Sequence, residues 1–273
     1  MDKVVILARG LGTRMRAGNS EANLDAGQKA IAATGVKALI PIDRPFLDYV
    51  LGDLAEAGYR RVCLVIGPEH DAVRRYFGEE LVCERLQIDF VEQQMPEGTA
   101  DALAAAEDWV GDEPFLMLNS DNYYPRSALA SLRQLTGPGV AVFGWDSMLS
   151  EGNVSEERLL RFAIIESGLD GQLSRIVEKP NADELRTFSE SWGLGMNCWR
   201  FDQRIFAACR AIERSPRGEF ELPDAVALAR ETGVAFAVLH IDEAVLDMSS
   251  RADVASVKTI LAGREVRLRT SRR

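Results

Sequence analysis

The chain has 273 residues, 47% of them hydrophobic, and carries a formal net charge of −10. That length accommodates one large α/β domain or two small ones, with enough apolar residues for a sizeable core. The acidic balance argues against a general nucleic-acid binder, and no apolar run approaches the length of a membrane span.

The first predicted element is a buried strand at residues 4–7, which breaks into Gly10-Leu11-Gly12-Thr13-Arg14. A glycine turn after a first strand is a phosphate-binding pattern, but two familiar versions fail on spacing. The dinucleotide fingerprint needs a third glycine where Met15 stands. The P-loop needs a lysine where Thr13 and Arg14 stand. What remains is a turn that lets the backbone approach a ligand closely, with Arg14 as a charged fork for phosphate oxygens. A plain turn with solvated arginines is the alternative.

A long loop is expected over 17–35, with a short helix in part of it. Apolar residues at 46, 47, 50, 51 and 54 recur at helical spacing. Further on, strands are expected at 61–66, 88–92 and 115–118, and helices at 71–77 and 99–109. This alternation implies a largely parallel sheet covered on both faces, with ligands at the carboxyl ends of the strands. The turns at Gly10 and at Asp121 both follow such ends and should meet at one crevice. The second half is richer in strands, at 140–144, 162–166, 173–178, 194–201 and 234–239. Helices are expected at 203–213, 223–231 and 250–262, and a second long loop at 145–158. Long loops of this kind are often lids or binding loops. Five arginines from 264 to 273 read as a solvated, partly disordered basic tail.

The N-terminus has no signal-peptide pattern. The four cysteines form no C-x-x-C pair, which suits reduced thiols in a cytoplasmic protein. Two distant histidines, His70 and His240, argue against a His-rich zinc site. No Gly-x-Ser-x-Gly elbow and no plausible Cys–His pair stand out. Cations and carboxylates at strand ends remain, a set suited to phosphoryl or nucleotidyl transfer. Asp121 and Asp247 together could hold Mg²⁺, although Asp247 alone reads more readily as a helix cap. Lys37 and Lys179, each taken alone, read as solvated charges.

Taken in order, seven stretches resemble the sugar-1-phosphate nucleotidyltransferases: LARGLGTRMR (7–16), VKALIPI (36–42) with the helix after it, EQQMPEGTADAL (92–103), LNSDNYY (118–124), VEKP (177–180), RGEFELPDAV (217–226) and LDMSSRADV (246–254). They span nearly the whole chain. The resemblance implies a Rossmann-like α/β/α fold with a mixed, mostly parallel sheet. It implies one domain over 1–263, with a nucleotide-binding half (1–122) and a sugar-phosphate-binding half (123–263). Leu7, Gly10, Gly12, Thr13, Gln93, Gly98 and Thr99 would bind the nucleotide. Arg14, Lys37 and Lys179 would act on the phosphates. Asn122, Glu178, Lys179 and Asn197 would bind the sugar phosphate, and Asp121 and Asp247 would hold Mg²⁺. The implied partners are an NTP and a sugar-1-phosphate, with no nucleic acid or membrane and room for a homo-oligomer. Family frequency favours a pyrimidine nucleotide.

Three departures qualify these roles. Arg9 stands where the family usually has Ala or Gly, leaving contact with base, ribose, phosphate or solvent open. The Arg14–Lys37 spacing is roughly ten residues longer than usual, as expected of a lid over the triphosphate. Ser249 and Ser250 replace the family's usual Gly-Thr after the second aspartate. Two other readings stay open: a noncatalytic nucleotide-sugar sensor, and a cytidylyltransferase for a non-sugar phosphate such as phosphocholine or a cyclitol phosphate.

Overall fold

Alternate residues of the first strand, β1 (Lys3–Leu7), face opposite ways, and both faces are buried. Val4 and Ile6 enter one hydrophobic core, while Val5 and Leu7 enter a second. A strand sealed on both faces is the mark of a sheet between two helical layers. The computed structural model describes residues 1–17 and 24–270.

Among these residues the other strands are β2 (Arg61–Ile66), β3 (Gln87–Glu92), β4 (Phe115–Asn119), β5 (Asn122–Tyr123), β6 (Gly139–Phe143), β7 (Ala163–Ser167), β8 (Leu173–Val177), β9 (Trp192–Phe201), β10 (Ala237–Ile241) and β11 (Leu246–Asp247). The main sheet runs β10-β6-β9-β4-β1-β2-β3. Pairing is parallel for β4-β1-β2-β3 and for β10-β6. The ten-residue β9 runs antiparallel between β4 and β6, and β7 extends from it with β8 in antiparallel pairing. Helices Phe46–Glu56, Arg126–Gln134 and Asp253–Leu261 cover the first core. Thr99–Ala104, Arg204–Ala211 and Leu222–Glu231 cover the second.

The expected α/β/α layering is therefore present, and several local expectations are corrected. The helix expected over 99–109 is two helices, Thr99–Ala104 and Glu107–Val110. The first expected loop holds the short helix expected in part of it, whereas the second, expected to be a loop, also holds helices. In the first, Ala26–Thr34 starts with a reciprocal cap in which Asp25 accepts from the Gln28 N–H at 2.8 Å. The buried Gln28 then ties this helix to the Pro41 carbonyl at 2.9 Å. Residues 24–35 are thus held to the domain at Gln28; residues 18–23 lie outside the described residues. The second loop contains Trp145–Ser150 and Glu156–Leu159.

The basic tail is also corrected. Leu268 is only 4% exposed, and its carbonyl accepts from the Glu84 and Arg85 N–H groups. Arg264 pairs with the buried Asp53 at 2.9 Å and lies over the Tyr123 ring. Two apolar side chains, Val266 and Leu268, and a few backbone bonds dock 264–270 against the domain. Arg272 and Arg273 lie outside the described residues. Among the described residues, no helix is long and apolar enough to cross a membrane.

Candidate active site

Because β1 to β4 run parallel, their carboxyl ends share one edge of the sheet, and the loops leaving them enclose a cleft of about 500 Å³. Leu7, Arg9, Gly10, Gly12, Thr13 and Arg14 line it from β1. Gln93, Gly98 and Thr99 come from the loop after β3, Asp121 from the loop after β4, and Lys37 from the short turn Lys37–Leu39. Residues far apart in sequence thus meet where the resemblance expects the nucleotide.

Two glycines owe their identity to backbone approach. Gly12 has φ 60°, and a Cβ there would lie 2.3 Å from the Gly35 carbonyl oxygen. Gly98 has φ 121°, and its Cβ would lie 2.3 Å from the Phe220 oxygen. Around Gly98 the chain is laced to the 217–222 segment: Phe220 N–H donates to Glu97 O at 2.7 Å and Ala100 N–H to Phe220 O at 2.9 Å. Thr99 Oγ1 accepts from Leu222 N–H at 2.9 Å. This lacing brings Arg217 and Glu219 to the rim of the cleft. No role was assigned to either from sequence, although both lie in a stretch that carries the resemblance.

Charge is concentrated on one side. Lys37 Nζ lies 2.6 Å from Asp121 Oδ2. Arg14 is exposed at the rim. Arg9, whose direction was open, is turned inward: it donates to the Gln93 carbonyl and lies 3.4 Å from each Glu69 carboxylate oxygen. It therefore braces the cleft wall instead of reaching into solvent. The Gln93 amide nitrogen donates to Gly98 O at 3.1 Å and Asp101 Oδ2 at 2.6 Å. Two acceptors around that nitrogen fix the amide's orientation, so Gln93 has only its acceptor oxygen left for a ligand.

Asp247 reaches this region through the small β5–β11 ladder, which sets it opposite Asn122. Its carboxylate accepts from Ser249 Oγ at 2.9 Å and Asn122 Nδ2 at 3.2 Å, and from Arg158. The hydroxyl of Ser249 thus fixes Asp247 in place. Burial, reinforced by the nearby charge of Asp121, pushes the Asp247 carboxyl above the usual range. Asp247 caps no helix: the helix Asp253–Leu261 has no side-chain cap, and Asp253 reaches back to accept from the Ser249 and Ser250 N–H groups in the turn before it. Asn122, expected at the sugar phosphate, is buried and committed to Asp247.

Glu178 and Lys179, just after β8, are exposed and lie outside the residues lining the cleft, as does Asn197 on β9. Lys179 and Asn197 adopt left-handed φ values of 48° and 54°, a strained conformation that recurs at functional positions. Tyr124 links Asn197 to the Asp121 loop: its hydroxyl donates to Met196 O at 2.8 Å and accepts from Asn119 N–H at 3.2 Å.

A parallel-edge cleft holding a glycine turn, cations and the strand-end carboxylate Asp121 defines a nucleotide-handling enzyme class. Residues 29–248 match the family model described as Nucleotidyl transferase, and the chain belongs to that family of nucleotidyltransferases. It is 28% identical to the low-salt glycan biosynthesis nucleotidyltransferase Agl11 of Haloferax volcanii over 85% of its own length, but spans only 58% of that protein. It is 24% identical to the UTP–glucose-1-phosphate uridylyltransferase AglF of the same organism, covering 92% of this chain and 93% of the relative. The glucose-1-phosphate thymidylyltransferase of Streptomyces antibioticus is 28% identical, with coverage of 97% and 68%. A crystal structure of UDP-glucose pyrophosphorylase complexed with UDP-glucose superposes with a TM-score of 0.71, covering 97% of this chain and 100% of that one. At 19% identity that likeness speaks to fold alone.

Proposed function

We propose that the chain joins a nucleoside monophosphate from an NTP to a sugar-1-phosphate, releasing pyrophosphate by in-line displacement. The observation that carries this reading is the Lys37–Asp121 pair, set in the same cleft as the Gly10–Arg14 turn. In the proposed reaction a phosphate oxygen of the acceptor attacks the α-phosphorus, and the bond to pyrophosphate breaks. Lys37 would turn from Asp121 to the α-phosphoryl oxygens as charge builds there. Arg14, exposed at the rim, would take the outer phosphates. The free oxygen of Gln93 suits an N–H on the edge of the base. Lys179 and Glu178 would receive the sugar phosphate from the other side.

The donor set fits Mg²⁺. Asp121 and Asp247 offer hard oxygen ligands, and Asp121 Oδ1 accepts from no donor among the described residues. No cluster of three or more potential metal ligands occurs among those residues, so the rest of the shell would come from phosphates and water, as this ion prefers. When bound, the ion supplies charge neutralisation and alignment of the phosphates.

The test is pyrophosphate release across the NTPs, each paired with a panel of sugar-1-phosphates. Release is expected to require both substrates. Asp121→Asn and Lys179→Ala should each lower turnover by roughly 10²–10³ with an unchanged melting temperature. Near-normal turnover in either variant would refute the assignment of that residue.

A further inference from the structure

Arg158 has no place in the reading above, yet it touches one of its carboxylates. It sits on the short helix Glu156–Leu159, held down by the fully buried Leu159. Its guanidinium bridges two acids that are almost completely buried: Asp247 Oδ2 and Asp253 Oδ1, the latter at 2.5 Å. The same segment also grips the backbone of Asp247. Asn153 Nδ2 donates to Asp247 O at 2.9 Å, and Asn153 Oδ1 accepts from Asp247 N–H at 2.8 Å.

Resting on the proposed metal role of Asp121 and Asp247, we infer that Arg158 is a built-in counter-cation that competes with a divalent ion for Asp247. Asp247 and Asp253 share Arg158, and Asp121 takes Lys37, so two cations answer three carboxylates. Lys37 holds Asp121 by a single contact and can leave it for a phosphate. Arg158 is tied to Asp253 as well as to Asp247, so it stays when Lys37 leaves. A buried carboxylate stripped of its partner is costly, so Arg158 stabilises Asp247 in the metal-free protein at the expense of metal affinity. The nucleotide-free protein would therefore hold a divalent ion weakly, and the triphosphate would bring it in.

The experiment measures Mn²⁺ binding to nucleotide-free protein, by calorimetry and by the electron paramagnetic resonance signal of the free ion. Arg158→Met, which removes a positive charge in contact with a ligand oxygen, should bind Mn²⁺ at least about tenfold more tightly than wild type. Arg158→Lys should stay near the wild-type value. Metal-free Arg158→Met should melt below wild type and recover more than wild type when Mn²⁺ is added. Should Arg158→Met fail to fold, the charge-balanced Arg158→Met/Asp253→Asn variant keeps the test and should bind several-fold more tightly. Equal or weaker Mn²⁺ binding in the folded variant, with binding still abolished by Asp121→Asn, overturns the role of Arg158 alone. Mn²⁺ binding to Arg158→Met that is absent, or indifferent to an added Asp121→Asn, overturns the metal reading and this inference with it.

Discussion

Gly98→Ala is the most exacting test of how the cleft is built. The residue has φ 121° and ψ 178°, a region essentially closed to side chains, where strain costs about 1–3 kcal/mol. The new Cβ would lie 2.3 Å from Phe220 O and 2.7 Å from Phe220 N. Those are backbone atoms, so relief requires the 217–222 segment to move. Movement breaks the Phe220 N–H bond to Glu97 O and the Ala100 N–H bond to Phe220 O, each contributing about 1 kcal/mol. The expected loss is roughly 3–5 kcal/mol, or about 10 °C in melting temperature for a chain of this size. Gly10→Ala is the control: Gly10 has no positive φ, and its Cβ would meet nothing within 4 Å. It should stay within about 0.5 kcal/mol of wild type. Urea unfolding of both variants measures the difference. A Gly98→Ala protein within about 1 kcal/mol of Gly10→Ala would show that Phe220 does not constrain Gly98.

Two further predictions concern stability. Burial pushes the Asp48 carboxyl from 3.8 to about 6, against the opposing influence of the Tyr76 hydroxyl and Arg44. The folded state then holds this proton more tightly than the unfolded chain. Stability contributed at this position is greatest below about pH 4 and declines as pH climbs to about 6. Asp48→Asn keeps an acceptor for Tyr76 and should gain about 3 kcal/mol relative to wild type between about pH 4 and 7; parallel denaturation curves across that range would refute it. In the C-terminal strip, Leu268→Ala should cost about 2–5 kcal/mol, whereas Arg269→Ala should cost less than about 0.5 kcal/mol. Equal effects in thermal melts would mean that the strip is not packed.

The parts legible in the sequence were those governed by local pattern. β2 coincides with the apolar run read there, because a strand buried on both faces leaves a continuous hydrophobic signature. The convergence of Gly10, Lys37, Gln93, Gly98 and Asp121 followed from the parallel sheet and the resemblance together. Helix Arg126–Gln134 was missed although Ala128, Leu129 and Leu132 are correctly spaced and buried. Its charged and polar neighbours diluted a short pattern. The helices inside 145–158 were missed because they are only six and four residues long. Arg158 and Glu69 act through partners tens of residues away, so no local pattern announces them; Arg217 pairs with Glu221 only four residues on, but its place at the cleft comes from the lacing around Gly98. Leu268 is a single leucine among arginines, and only its tertiary contacts distinguish docking from solvation.

The insertion of β9 between β4 and β6 also bears on synthesis. A ribosome completes β4 at Asn119 long before it reaches Phe201, which pairs with Phe115 where β4 and β9 meet. At about 5–20 residues per second, β4 waits roughly 4–16 s for its neighbour. During that interval a largely apolar strand presents an open edge, the kind of surface that invites wrong pairing with other chains. The nascent protein therefore has a defined window of vulnerability, in which a chaperone would have the most to shield.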